Sequence, residues 1–202
     1  MCKLLSVTNR KLCREPFSER IEKVAKSGVD GVILREKDLS EAEYVELAKE
    51  VLSICRREKV ACILHSFPRV AEELGADGLH LPLPVLRGLT EEERQRFSCL
   101  GASCHSLGDV LEAAKLGCSY VTLGHIFATS CKPGLPPRGV ELLREVCAAS
   151  PLPVYAIGGI GEDNISQVIE AGAAGACLMS GLMVCDDPAE AVKALRRRAL
   201  EG

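Results

Sequence analysis

The sequence predicts an α/β protein, a single-domain (β/α)8 TIM barrel, on three observations. Short apolar runs alternate with amphipathic ones from one end of the chain to the other. The strand-like runs are continuously apolar, as in parallel strands covered on both faces. Roughly eight such units fit within the 202 residues, which suits a compact closed barrel. A doubly wound open sheet is the alternative, but no G-x-G-x-x-G follows the first strand.

The elements follow in order. Leu4 to Val7 reads as a strand, and Phe17 to Ser27 as a helix closed by Gly28. Gly31 to Leu34 is a second strand, ending at Arg35-Glu36-Lys37. Ser40 is placed as an N-cap with Glu43 at the capping-box position, opening a helix to about Lys59 with Val45, Ala48, Val51, Leu52 and Cys55 on one face. Ala61 to Leu64 is a third strand, and Arg69 to Leu74 a helix stopped by Gly75. Gly78 to Leu81 is a fourth strand ended by Pro82 and Pro84, with a helical patch at Glu91 to Arg96 behind it. Cys99 to Ser103 is a fifth strand, followed by a helix from Ser106 or Leu107 to Leu116. Tyr120 to Leu123 is a sixth, and Gly124 ends it. The next helix restarts near Val140 after a segment too rich in Gly and Pro to be helical. Val154 to Ile157, a helix over Asn164 to Ala171, Ala176 to Met179 and a helix over Pro188 to Leu200 complete the chain. No linker, repeat or low-complexity stretch divides it.

Composition excludes several function classes. With 47% hydrophobic residues, 26% charged and a net charge of −3, the chain fills one core and carries no broad affinity for nucleic acid or membrane surfaces. Only 3% of residues are aromatic and Trp is absent, which argues against base-stacking platforms. No signal-peptide pattern opens the sequence and no apolar run approaches the ~18 residues of a membrane span, so a soluble cytoplasmic protein is expected. The 11 cysteines are odd in number and scattered, without a C-x-x-C pair; Cys62, Cys99, Cys118 and Cys177 lie in or beside strand-like runs as small hydrophobes.

Barrel sites form where strands end, and the strand ends here are informative. All four histidines, His65, His80, His105 and His125, fall at the ends of the third to sixth predicted strands. A strand-end histidine is often merely satisfied by a backbone carbonyl. His125, handed by Gly124 to a long polar loop, favours function. Gly158-Gly159 and Ser180-Gly181 close the last two strands with backbone N–H groups that suit a phosphate, although Gly pairs also serve ordinary turns. Arg35 and Lys37 add positive charge across the mouth, or, with Glu36 between them, form a solvated charged turn. Cys62, His65, His80, Cys104 and His105 share adjacent strand ends but carry no fixed ligand spacing, and the loops after strands three, four and six lack carboxylates near the strand end. Neither a metal nor another cofactor is expected.

The motifs Leu34-Arg35-Glu36-Lys37, Ala76-Asp77-Gly78-Leu79-His80-Leu81, Gly101-Ala102-Ser103-Cys104-His105-Ser106 and Ala156-Ile157-Gly158-Gly159-Ile160 resemble, in order and spacing, the thiamine phosphate synthase superfamily. The resemblance implies a (β/α)8 barrel. In the synthase branch an Asn-Asp pair after strand three and a Gly-Gln-x-Asp after strand four hold the magnesium for a pyrophosphate substrate. This chain instead reads His65-Ser66 and Pro82-Leu83-Pro84-Val85. Gly124-His125-Ile126-Phe127 with Thr129, Cys131-Lys132, Gly134-Leu135 and Arg138-Gly139, and Met179-Ser180-Gly181, are similar to the thiazole tautomerase (TenI-type) branch. That likeness implies a metal-free isomerase of thiamin biosynthesis that aromatises a thiazole carboxylate phosphate by proton transfer. His125 is then the acid–base residue, and Gly158, Gly159, Ser180 and Gly181 hold the phosphate. Arg35, Lys37, Ser103, Thr129 and Lys132 are candidates for the carboxylate, with His65, Cys104 and His105 lining the pocket and His80 structural. Thiamine phosphate synthase with relocated metal ligands is the alternative. A silent thiazole- or thiamin-phosphate-binding regulator and an unrelated phosphate-binding isomerase are further readings. The partner expected is a small phosphorylated thiazole; the sequence leaves a homo-oligomer open.

Overall fold

A computed structural model describes residues 2–129 and 134–200. Its eight strands are β1 Lys3–Val7, β2 Gly31–Leu34, β3 Ala61–His65, β4 Gly78–Pro82, β5 Leu100–Cys104, β6 Tyr120–Gly124, β7 Val154–Ile157 and β8 Gly175–Leu178. Each pairs in parallel with the next in sequence, and β8 returns to β1, so the sheet closes in the order β1 to β8. The barrel that the alternation of strands and helices predicts is therefore the fold of the chain.

The helices lie between strands: α1 Phe17–Lys26, α2 Glu41–Glu58, α3 Pro68–Glu73, α4 Leu83–Arg87, α5 Glu91–Gln95, α6 Leu107–Lys115, α7 Gly139–Ala149, α8 Ile165–Glu170, α9 Ser180–Met183 and α10 Pro188–Leu200. The Ser40–Glu43 capping box forms at the head of α2 as expected. Two short helices depart from the sequence reading. Pro82 and Pro84 are read there as ending the fourth strand, yet Pro82 is its last residue and caps α4, and Pro84 sits in the first turn of α4. Proline is tolerated at that place because a first-turn N–H has no carbonyl to reach within the helix. Ser180 and Gly181, read only as closing the last strand, open α9, and that strand ends at Leu178 instead of Met179. Strand β5 also starts and ends one residue later than expected.

Side chains alternate between two apolar layers, as the period of a strand requires. Leu4, Val32, Leu64, Leu81, Ala102, Val121 and Ala156 point outward and pack with the buried faces of the helices. Leu5, Val7, Ile33, Ile63, Tyr120, Tyr155 and Cys177 point inward and fill the lower lumen. The Tyr120 ring fits there because Gly101 faces it in register; Gly175, opposite Tyr155, leaves room for the backbone of Lys3. A methyl group on Gly101 would fall against the Tyr120 ring.

That packing gives a direct test. Gly101→Ala should lower stability by about 1–3 kcal/mol through overpacking. Gly161→Ala, where nothing lies within 4 Å of an added Cβ, should leave it unchanged. Urea unfolding of the two variants checks this, and equal stability would show that the tyrosine layer is loosely packed.

Candidate active site

Above the tyrosine layer, the C-terminal ends of the strands surround a cavity of about 530 Å3. That is within the usual range for small-ligand sites. The wall collects Arg35 and Lys37 after β2, His65 from β3, His80 from β4, Ser103 and His105 around β5, His125 and Thr129 after β6, Gly158 and Gly159 after β7, and Ser180 and Gly181 after β8. Residues remote in sequence thus meet at one mouth. Cys104 borders the cavity while packing in the outer apolar layer, and burial pushes its thiol up to about 12, so it stays protonated. Lys132 lies outside the described residues.

His125 is buried, and its Nε2 is 3.3 Å from the carbonyl oxygen of Leu135. A carbonyl only accepts, so Nε2 carries a proton, and in the neutral ring Nδ1 is left as a bare lone pair. That Nδ1 is buried and, among the described residues, has no hydrogen-bond partner. An unsatisfied buried acceptor costs about 1–3 kcal/mol and calls for an explanation; a site for a transferred proton is one. The loop beyond is held to the same place: the amide of Arg138 donates to His125 O at 3.0 Å. His105 Nδ1 at 2.7 Å and Arg138 Nε at 3.1 Å both donate to Gly124 O.

Gly158 and Gly159 have a role that the sequence does not disclose. Both have positive φ, +100° and +66°. A Cβ on Gly158 would strike Cα and Cβ of His125, and one on Gly159 would lie 2.8 Å from Cβ of Phe127. The chain after β6 runs directly over them, with Ile126 N donating to Ile157 O and Phe127 N to Gly158 O, both at 3.0 Å. The glycines therefore seat His125 as well as bordering the cavity. On the neighbouring wall, Ser180 and Gly181 begin α9, where first-turn amides lack partners within the helix.

Between the two cations, Glu36 is no solvated residue, whereas Lys37 is exposed in a turn. Glu36 is buried, accepting from Thr8 Oγ1 at 2.7 Å and from Arg10 N at 3.0 Å, with Arg10 Nη1 at 3.1 Å. Its neighbours Arg35 and Lys37, just past the end of β2, border the cavity.

His65 and His80 form a neutral floor. Their rings stack at 5.7 Å. His65 Nδ1 is 2.5 Å from Ser66 Oγ, while His80 binds Tyr120 Oη at 3.0 Å and Ser103 Oγ at 2.9 Å. Burial, followed by His80, Arg35 and Lys37, lowers His65 to about 2. Burial, followed by Arg35, lowers His80 to about 3. Sequence reasoning missed several wall residues, Arg87, Asp109 and Thr122 among them. Arg87 is carried in by the unexpected α4 and held by Glu112 at 2.6 and 2.7 Å. Asp109 was legible as the third residue after the Ser106 cap; its Oδ2 accepts the amide of His105 at 2.7 Å.

The thiamine monophosphate synthase family model matches residues 4–182. The chain belongs to that family. It is 37% identical over 189 residues to the thiamine-phosphate synthase of Thermus thermophilus, covering 91% of this chain and 89% of that one. It is 34% identical over 185 residues to the thiamine-phosphate synthase of Clostridium acetobutylicum, covering 90% and 87%. The solved thiamine phosphate pyrophosphorylase of Pyrococcus furiosus superposes with a TM-score of 0.84 at 28% identity, covering 98% of this chain and 96% of that one. These names agree with the synthase alternative better than with the tautomerase reading, which they do not distinguish.

Magnesium prefers carboxylate oxygens. Among the described residues of the wall, Asp109 is the one carboxylate, and it is engaged by the His105 amide. No group of three or more His, Cys, Asp or Glu among the described residues is arranged to hold a metal. The donors present do not fit that ion. Likewise, no helix among the described residues is long and apolar enough to cross a membrane.

The histidine floor sets an acid limb. Below the ordinary histidine value of 6.5, the unfolded chain binds protons that the two buried rings refuse. Stability present above pH 6.5 is therefore lost as pH falls toward about 3 for His80 and about 2 for His65. His65→Gln should make the decline shallower by up to one proton, about 1.4 kcal/mol per pH unit, in urea titrations between about pH 6 and about pH 4. Parallel acid limbs would mean that His65 takes up its proton in the folded protein.

Proposed function

We propose that this chain is a thiazole tautomerase of thiamin biosynthesis, aromatising a thiazole carboxylate phosphate by acid–base proton transfer. The reading is carried by His125, which lines the cavity and whose buried Nδ1 has no hydrogen-bond partner among the described residues. The absence of a carboxylate pair among the described wall residues agrees with a reaction in which no pyrophosphate departs.

In this reading the phosphate lies at the amides of Gly158, Gly159, Ser180 and Gly181. The carboxylate lies toward Arg35, Lys37, Ser103 and Thr129. Nδ1 of His125 takes the proton from the ring carbon bearing the carboxylate, and the C–H electron pair enters the ring. The imidazolium so formed keeps its Nε2–H on Leu135 O. A proton then passes from Nδ1 to the exocyclic carbon, where a C–H bond forms. The ring gains aromaticity, and no redox partner is consumed. One positioned acid–base group contributes about 10²–10⁴ in rate.

NMR of the tautomer in deuterated water should show conversion without added metal and deuterium at the exocyclic carbon. His125→Ala should lower the rate by about 10²–10⁴. Unchanged turnover by that variant would remove His125 from the mechanism. EDTA should leave the rate unaltered; a strict magnesium requirement would count against the reading. The second reading, thiamine-phosphate synthase, is favoured by the names of the relatives. Release of pyrophosphate from the pyrimidine pyrophosphate and thiazole phosphate with magnesium would establish it.

A further inference from the structure

The proton transfer proposed for His125 makes no use of His80, although His80 joins the deep tyrosine layer to the cavity. Tyr120 Oη lies 3.0 Å from His80 Nδ1, and among the described residues this nitrogen is its one hydrogen-bond partner. Tyr120 is itself buried, and burial raises its phenol well above the ordinary value of 10, so it remains protonated. The phenol has one proton and one place to send it, the Nδ1 lone pair. Nδ1 is therefore bare of hydrogen and Nε2 bears it. Nε2 lies 2.9 Å from Ser103 Oγ and 3.5 Å from Thr122 Oγ1. It donates to the nearer oxygen, and Ser103 Oγ accepts.

The opposite arrangement fails on a count of protons. Were the ring proton on Nδ1, it would point at the phenol oxygen. The phenol's own proton would then be buried without an acceptor among the described residues, at the cost of an unsatisfied polar group. The chain of donors thus runs one way, from Tyr120 through His80 to Ser103, and each bond polarises the next. With its oxygen accepting from His80, Ser103 has its own proton to give, and Ser103 lines the cavity.

We propose that His80 is a positioning residue that commits Ser103 to donate a hydrogen bond, so that the site selects a ligand bearing an acceptor there, the carboxylate in the proposed reaction. The identity of the acceptor rests on the tautomerase reading; the direction of the relay does not. A ligand without the carboxylate leaves the Ser103 proton unused, which is how a built polar site discriminates.

Two measurements separate these parts. Long-range ¹H–¹⁵N correlation on the histidine-labelled natural protein should show His80 protonated at Nε2 and bare at Nδ1. A proton on Nδ1 would overturn the relay whatever the ligand is. Calorimetry would then compare the aromatic thiazole carboxylate phosphate with the same thiazole phosphate lacking the carboxylate. Ser103→Ala and His80→Leu should each weaken the carboxylate ligand about tenfold and leave the other unchanged. His80→Gln, which retains an N–H toward Ser103, should recover most of the difference, an effect that simple loosening of the barrel would not produce. Equal losses on both ligands in Ser103→Ala would overturn the assigned acceptor. Failure of both ligands to bind the natural protein would sink the thiazole reading, with the tautomer of His80 still deciding the relay.

Discussion

Closure of eight parallel strands forces every inward side chain to share one narrow lumen, and the remaining features follow from how that space is divided. Tyr120 and Tyr155 meet edge to ring at 5.6 Å and fill the lower part. Tyr120 is admitted by Gly101 opposite it. Because the aromatic layer seals the barrel from below, the polar groups above it meet ligand from one side only. His80 sits at the boundary, one nitrogen on the tyrosine layer and the other on Ser103. A single ring therefore links the apolar plug to the site.

The seam between β6 and β7 does a different task. Ordinary parallel pairing would end with Gly124 opposite Ile157. Two further hydrogen bonds carry the chain on past the strand end, over glycines that a side chain would block. His125 is thus held by backbone on both sides instead of projecting from a free loop. In the proposed reaction such a seat would preorganise the proton-transfer group, whose rate depends on sub-ångström placement.

The fold was legible because parallel strands covered on both faces write themselves as apolar runs, and β2 and β7 were read to the residue. The wall was legible for a related reason: barrels place chemistry at strand ends, so the positions of His65, His105 and His125 stood out, and all three border the cavity. What stayed hidden depends on contacts between distant segments. Nothing local shows that Gly158 lies beneath His125, that Glu36 turns away from solvent into Thr8 and Arg10, or that Tyr120 reaches His80. The helix α4 was missed because Pro82 and Pro84 read as breakers, when a first turn accepts proline. Its Arg87 was lost with it.

The cationic wall shows how such a hidden contact shapes chemistry. Buried Glu36 takes hydrogen bonds from Thr8 and Arg10, and Thr8 Oγ1 in turn accepts the amide of Arg35 at 2.9 Å. A carboxylate outside the lumen thereby fixes the backbone that presents Arg35 to the cavity. In the proposed reaction the ligand's phosphate and carboxylate keep their charges from start to finish. A rigid cationic clamp then binds substrate and product alike, which holds the ligand without favouring the transition state. The floor of His65 and His80, neutral by burial, adds no charge that varies with pH in the physiological range. Charge on the ligand changes only when the proton has left carbon, so the differential stabilisation must come from the group that receives it. Among the described wall residues, the bare Nδ1 of His125 is the buried acceptor left without a donor.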